Sequence, residues 1–135
     1  MSLPASLRLI LVTPETTLLD EPVETLRFPL FDGQIGIIPG RAPLVGRLGY
    51  GELRIKTAKG EQSYFIDGGF VQVKAEIVSI LTNRAQLTST LDIRLAEDEL
   101  QVAQQKHATS DVEFASKTVD LTRARRKLAL ARRSR

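Results

Sequence analysis

From Leu7 to about Leu87 the apolar residues recur with a period of two. Leu7, Leu9 and Leu11 alternate with Arg8, Ile10 and Val12; Leu26, Phe28 and Leu30 alternate behind Val23; Leu53 and Ile55 alternate with Glu52, Arg54 and Lys56. Successive side chains of a strand point to opposite faces, so this period predicts half-buried strands. Turn residues break the pattern at short intervals, at Thr13-Pro14, Glu21-Pro22, Asp32-Gly33, Pro39-Gly40, Lys59-Gly60, Gly68-Gly69 and Ala75-Glu76. Many short strands with no helix between them predict a β-sandwich or barrel. The run from Phe31 to Leu44 is densest in backbone-specific residues and reads as strand, turn, strand and tight corner. Within it Gly36, set between Ile35 and Ile37, predicts a close backbone approach.

After Ser89 the period lengthens to that of a helix. Ser89-Thr90-Leu91-Asp92 and Ser110-Asp111-Val112-Glu113 both read as helix starts. The second is a capping box, in which the Ser110 hydroxyl and the Glu113 carboxylate satisfy free amide donors. Leu91, Leu95 and Val102 form one stripe with Ala96, Leu100 and Ala103 beside it; Phe114, Leu121, Ala124, Leu128 and Ala131 recur on the second helix. Joined near His107 to Thr109, the two predict an antiparallel hairpin whose small, alanine-rich faces bury little and hold it weakly. The fold class is therefore α+β, with a β-sandwich over residues 1–87 followed by a two-helix hairpin over residues 88–135.

Charge divides the chain in the same way. Residues 123–135 hold seven of its nineteen cations and none of its sixteen acids, so the rest of the chain is net acidic. Clustered cations are the footprint of phosphate binding, and a nucleic-acid-binding or general interaction module with a basic C-terminal arm is one reading of this tail. Against nucleic acid, the tail has no aromatic residue on which a base could stack. No apolar run approaches bilayer length, so any membrane association goes through a partner. The apolar stretch from Leu7 to Val12 is interrupted by Arg8 and reads as a first strand rather than a signal peptide.

Catalytic chemistry finds no support. The absence of cysteine excludes disulfides and thiol catalysis and suits a reducing cytoplasm, and a single histidine, His107, excludes imidazole-rich metal sites. His107 falls in the interhelix loop with no catalytic motif near it. Glu97, Asp98 and Glu99 occupy successive helix positions that point in different directions, so they form a solvated face rather than a metal site. No catalytic residue, cofactor or metal is expected.

The stretch from Gly33 to Leu44, Gly-Gln-Ile-Gly-Ile-Ile-Pro-Gly-Arg-Ala-Pro-Leu, resembles the signature of the epsilon subunit of the F-type ATP synthase. Val12-Thr13-Pro14-Glu15, Gly51-x-Leu53-Arg54-Ile55 and Asp67-Gly68-Gly69-Phe70-Val71-x-Val73 extend the resemblance to about residue 85, with Arg41 standing where the family usually has histidine. It implies a sandwich rather than a barrel, and a rotor subunit at the foot of the central stalk, peripheral to the cytoplasmic face of the membrane. The implied partners are the gamma subunit, the c-ring and the alpha and beta subunits, with no nucleic acid. Asp32, Gly33, Gln34 and Arg41 fall at the implied c-ring and gamma interface. Arg123, Arg125, Arg126 and Lys127 fall where a regulatory hairpin meets the catalytic head. The family's nucleotide motif is matched at Leu91, Asp92 and Ala96, but Leu95 holds the arginine position and Arg94 is displaced by about 100° around the helix. These residues are weak nucleotide candidates.

Overall fold

A computed structural model describes residues 7–40 and 43–133. Arg41 and Arg135 lie outside the described residues. Eight strands follow one another: β1 (Leu7–Val12), β2 (Thr17–Val23), β3 (Thr25–Leu30), β4 (Gly33–Ile37), β5 (Leu44–Thr57), β6 (Gly60–Lys74), β7 (Ile77–Leu81) and β8 (Ala85–Leu87). A 3-10 turn over Thr88–Thr90 leads into α1 (Ile93–Gln105) and α2 (Asp111–Arg133).

The strands run in the order β2-β1-β7-β6-β5-β3-β4, with β8 pairing beside β6. All neighbours are antiparallel except β1 and β7. This is one hydrogen-bonded sheet, yet it makes a two-layered sandwich. Leu9 and Leu11 of β1 share a single buried core with Leu26 and Phe28 of β3 and Ile37 of β4, and those strands lie far apart in the sheet order. The sheet must therefore fold over on itself, and the long strands β5 and β6 carry it from one layer to the other.

Glycines mark where those strands turn. In β5 the inward residues pass from Leu44 and Leu48 to Leu53 and Ile55, and in β6 from Tyr64 and Ile66 to Val71 and Val73, so each strand exchanges its inner and outer faces midway. The exchange in β6 falls at Gly68 and Gly69, whose φ values of 68° and 112° are open to glycine but strained for other residues. A Cβ on Gly69 would lie 1.8 Å from the Leu81 carbonyl oxygen, and one on Gly49 would lie 2.7 Å from that of Leu30. The expected close approach at Gly36 is not found: a Cβ there would meet the Leu26 carbonyl at an ordinary 3.8 Å, because β4 is an edge strand with space outside it.

The first helix starts later than its sequence suggests. Ser89 and Thr90 belong to the 3-10 turn, and Asp92 is the N-cap, its carboxylate accepting from the amides of Arg94 and Leu95 at 2.8 and 3.2 Å. The carboxylate reaches two free donors where a serine hydroxyl would reach one. At the start of α2 the Ser110 hydroxyl accepts from the Glu113 amide as expected, while the Glu113 carboxylate reaches the Thr109 amide, one residue before the box position. The expected stripes are corrected in part. Leu95, Val102 and Phe114 are 59%, 70% and 57% exposed, and the residues that bury are Leu91, Ala96, Ala103, Ala124, Leu128, Leu130 and Ala131. Small alanines let the helices approach closely, which turns the larger stripe residues outward.

Candidate functional site

Two surfaces can do mechanical work: the seat of the hairpin, and an exposed apolar row that adjoins it at Tyr50.

The second helix lies along the outer face of β5 and β6. Its apolar seat is small: Leu130 and Ala131 pack with Phe65 and Leu91, and Tyr50 and Ile93 border them. Charged contacts surround that seat. Arg123 Nε donates to an Asp67 carboxylate oxygen at 2.8 Å, Arg133 reaches Glu52 at 3.1 Å, and Arg126 donates to the Tyr50 carbonyl at 3.0 Å. Arg123 also stacks over the Tyr50 ring at 5.2 Å and Lys127 lies 5.9 Å from the centre of Phe65. Burial by itself would weaken the charge on Arg123, but the hydrogen bond that it donates to Asp67 and the Asp67 charge outweigh that and raise the Arg123 pKa above its ordinary value.

Further cations of α2 face α1. Lys127 pairs with Glu99 at 3.1 Å and Arg132 with Glu97 at 3.7 Å, while Lys106, the C-cap of α1, pairs with Asp120 at 2.8 Å. Glu97 and Glu99 are thus exposed, as expected of a solvated face, but they also pair with α2. Of the four cations assigned to an outside acidic partner, Arg123, Arg126 and Lys127 are engaged within the chain, and Arg125 is exposed. Sequence reading missed their acceptors. Asp67, Glu52 and Tyr50 are distant in the chain, and only the folded sheet brings them under α2.

On the adjoining surface, register sets a row across four strands. Arg47 of β5 opposes Phe70 of β6, Phe70 opposes Leu81 of β7, and Leu81 opposes Val12 of β1. Phe70, Leu81 and the neighbouring Val45 are 63%, 53% and 76% exposed. Phe31, 61% exposed, joins the row through its amide bond to the Arg47 carbonyl and through the Arg47 guanidinium 4.4 Å above its ring. Phe31, Arg47, Phe70 and Leu81, together with Val12 and Pro14, line a surface hollow of about 450 Å³. Exposed apolar groups gathered in this way mark a contact surface. A signal for them existed: Phe70 and Leu81 stand out of phase with the buried Val71, Val73, Val78 and Ile80, so alternation places them outward.

Beside Phe31, Asp32 forms the β3–β4 turn, and Gly33 and Gln34 open β4, all three exposed. Gly33 has φ 153°. At the neighbouring corner the Gly40 amide donates to both carboxylate oxygens of Glu76, at 3.0 and 3.2 Å.

The nucleotide candidates do not converge. Leu91 and Ala96 are buried, Asp92 is used as the helix cap, and Arg94 is exposed. Leu95 instead borders a groove of about 800 Å³ between the helices, with Val102, Lys106, Asp120 and Arg123.

Comparison with known proteins agrees with this architecture. Residues 6–88 match the family described as the ATP synthase delta/epsilon chain β-sandwich domain. The ATP synthase epsilon chain of Rhodopirellula baltica is 41% identical over 127 residues, covering 94% of this chain and 99% of that one. That of Synechococcus sp. strain WH7803 is 34% identical, covering 94% and 92%. A chain of the Euglena gracilis mitochondrial ATP synthase superposes with a TM-score of 0.84 at 24% identity, covering 96% of this chain and 83% of that one. The sandwich, the hairpin that follows it and these similarities lead to one conclusion: the chain belongs to the epsilon-chain family of the ATP synthases.

Proposed function

We propose that this non-catalytic ATP synthase subunit is a central-stalk rotor component, passing c-ring rotation to the catalytic head, with a sandwich over residues 1–87 that binds partners and a hairpin over residues 88–135 that regulates ATP hydrolysis. The observation that carries the reading is the exposed row of Phe31, Val45, Phe70 and Leu81 beside the polar tip at Asp32. An apolar row gives a durable contact to a partner that turns with the chain, and we assign it to the gamma subunit. The tip of Asp32, Gly33 and Gln34 is exposed and polar, which suits the loops of the c-ring, and we assign Arg41 to the same contact from its place in the sequence motif. The chain matches epsilon chains over nearly their full lengths, and the solved relatives come from assemblies whose descriptions include the c-ring and the central stalk. Among the described residues no helix is long and apolar enough to cross a membrane. We assign the chain to the membrane periphery through the complex, at the cytoplasmic face.

The hairpin carries the regulatory part. Seated on the sandwich it keeps Arg123, Arg126 and Lys127 occupied; extended toward the head it frees them, with Arg125, for acidic segments of the beta subunits and blocks rotation in the hydrolysis direction. Purification from native membranes tests the assignment, with co-elution of alpha, beta and gamma subunits expected. Failure to co-elute, with the chain recovered alone, would remove it from the rotor. Replacing Gly33 by valine should leave hydrolysis intact while proton pumping falls, and unchanged pumping in an assembled complex would remove the tip from the coupling interface.

A further inference from the structure

Where the two helices meet the sandwich, four charged side chains of alternating sign stand in a line. Lys106 Nζ donates to one Asp120 oxygen at 2.8 Å, the other Asp120 oxygen accepts from Arg123 Nη1 at 3.2 Å, and Arg123 Nε donates to Asp67 at 2.8 Å. Resting on the regulatory reading of the hairpin, we propose that Lys106, Asp120, Arg123 and Asp67 form a latch that keeps the hairpin docked without any nucleotide and lets both of its contacts open together.

The coupling follows from the Asp120–Arg123 pair, one turn apart on α2: Asp120 ties α2 to α1 through Lys106 and Arg123 ties α2 to β6 through Asp67, so each of the two links is held in place by a residue that the other link also orients. The anchor beneath is fixed: the Asp67 amide donates to Thr82 Oγ1 at 3.2 Å and its carbonyl accepts from the Asn83 side chain at 3.1 Å, at the corner where β6 leaves β7 for β8. The carboxylate is thus presented by a rigid sheet to a helix that can leave. Asp67, Asp120 and Arg123 side chains keep 14%, 30% and 35% of their surface, half-buried positions where charge attraction exceeds that of freely solvated pairs yet still responds to salt.

Nucleotide independence follows from how fully Arg123 is used. Its Nε is held by Asp67, its Nη1 by Asp120, and its face rests on Tyr50. The two carboxylates supply the negative charge that a phosphate would otherwise bring. The groove beside it is lined by Leu95, Val102, Asp98 and Glu99, and its two cations, Lys106 and Arg123, are both paired with carboxylates. With an apolar seat as small as Leu91, Phe65, Leu130 and Ala131, these charges set the balance between docked and detached forms.

The chain has no cysteine, so Lys59→Cys and Val112→Cys, both at exposed positions, allow two spin labels to report the hairpin-to-sandwich distance by pulsed dipolar resonance. At low salt a single narrow distance distribution is expected, unaltered by millimolar ATP. Raising salt, which shortens the screening length from about 10 Å at 0.1 M to about 3 Å at 1 M, should increase the detached population. Asp67→Asn and Asp120→Asn should each increase it about tenfold, equivalent to ~1.4 kcal/mol. The Asp67→Asn/Arg123→Gln pair should detach no more than the worse single variant. Arg125→Gln, outside the line, should leave the distribution as it is. Unchanged distances in both Asn variants, additive effects in the pair, or docking that requires ATP would overturn the latch. Hydrolysis by the assembled complex separates the two readings: a hairpin that opens without changing hydrolysis leaves the latch and removes the regulatory role. A hairpin that stays closed in the Asn variants removes the latch alone.

Discussion

Arg123 Nε lies 2.8 Å from a carboxylate oxygen of Asp67, a contact that ties the second helix to a strand fifty-six residues earlier. The same guanidinium reaches Asp120 at 3.2 Å. Two acceptors on different elements need a planar fork of donors, and a lysine ammonium on a flexible stem meets that geometry poorly. Arg123→Lys should therefore behave almost as a deletion: hydrogen exchange in α2 should quicken about tenfold while exchange in β6 stays slow. Equal protection of α2 in the two proteins would show that charge alone is enough.

Docking should depend on pH in one direction only. The Lys106 hydrogen bond lowers the Asp120 pKa below its ordinary value, with the charges of Lys106 and Arg123 assisting against the opposing effect of burial. A carboxylate lowered on folding contributes stability above its unfolded pKa of about 3.9, and loses it as pH falls through the lower folded value. Asp67 faces Asp120 across Arg123. The docked fraction should hold level from about pH 8 to about pH 5 and drop below about pH 4. Following the α2 amide signals through an acid titration checks this, and loss of docking near neutral pH would assign the switch to another group.

Glycine substitutions should separate two positions that look alike in the sequence. Gly69→Ala places a Cβ 1.8 Å from the Leu81 carbonyl in a residue with φ 112°, and should cost at least ~3 kcal/mol. Gly36→Ala meets only ordinary contact, 3.8 Å from the Leu26 carbonyl, and should stabilise by about 0.5 kcal/mol. Urea unfolding midpoints measure both, with opposite shifts expected.

Leu130→Ala removes the largest α2 side chain from a small apolar seat in which it is 5% exposed. Large core truncations cost 2 to 5 kcal/mol, and this sparse cluster belongs near the lower limit, at about 2 kcal/mol. The loss should appear as a detached hairpin over an intact sandwich, since Leu130 takes no part in the main core. A lowered melting temperature for the strands themselves would contradict that separation.

Phe70→Ser should change assembly and not folding. Its ring is 63% exposed in the free chain, so thermal stability should shift by less than about 0.5 kcal/mol. Incorporation into the complex should fall, since desolvated aromatic anchors at the centre of an interface often contribute 2 kcal/mol or more. Normal incorporation would move the gamma contact off this row.

The sequence by itself determined the element types and most of their order. Alternation from Leu7 onward, the turn residues, and the helical spacing after Ser89 are local signals, set by steric preferences and by the need of each element to bury one face. The turn at Asp32-Gly33 and the cap of α2 at Ser110 were legible because each is a matter of a few adjacent backbone groups, whereas Gly68-Gly69, expected as a turn between strands, bends one continuous strand. The Gly33 to Leu44 stretch carried the family for the same reason: its glycines and prolines specify backbone geometry directly. Tertiary structure decided everything that depends on residues distant in the chain. Gly36 and Gly69 carry the same lack of a side chain, and only the path of β7 makes one of them indispensable, because Leu81 passes within contact distance of it. Leu95 and Val102 fit a helical stripe as well as Ala96 and Ala103 do, but close helix packing favours the smaller pair. The basic tail shows the largest difference. Charge is additive along a sequence, whereas the contact a cation makes depends on which carboxylate the fold places within about 4 Å of it, and here the sheet places Asp67 and Glu52 under the helix.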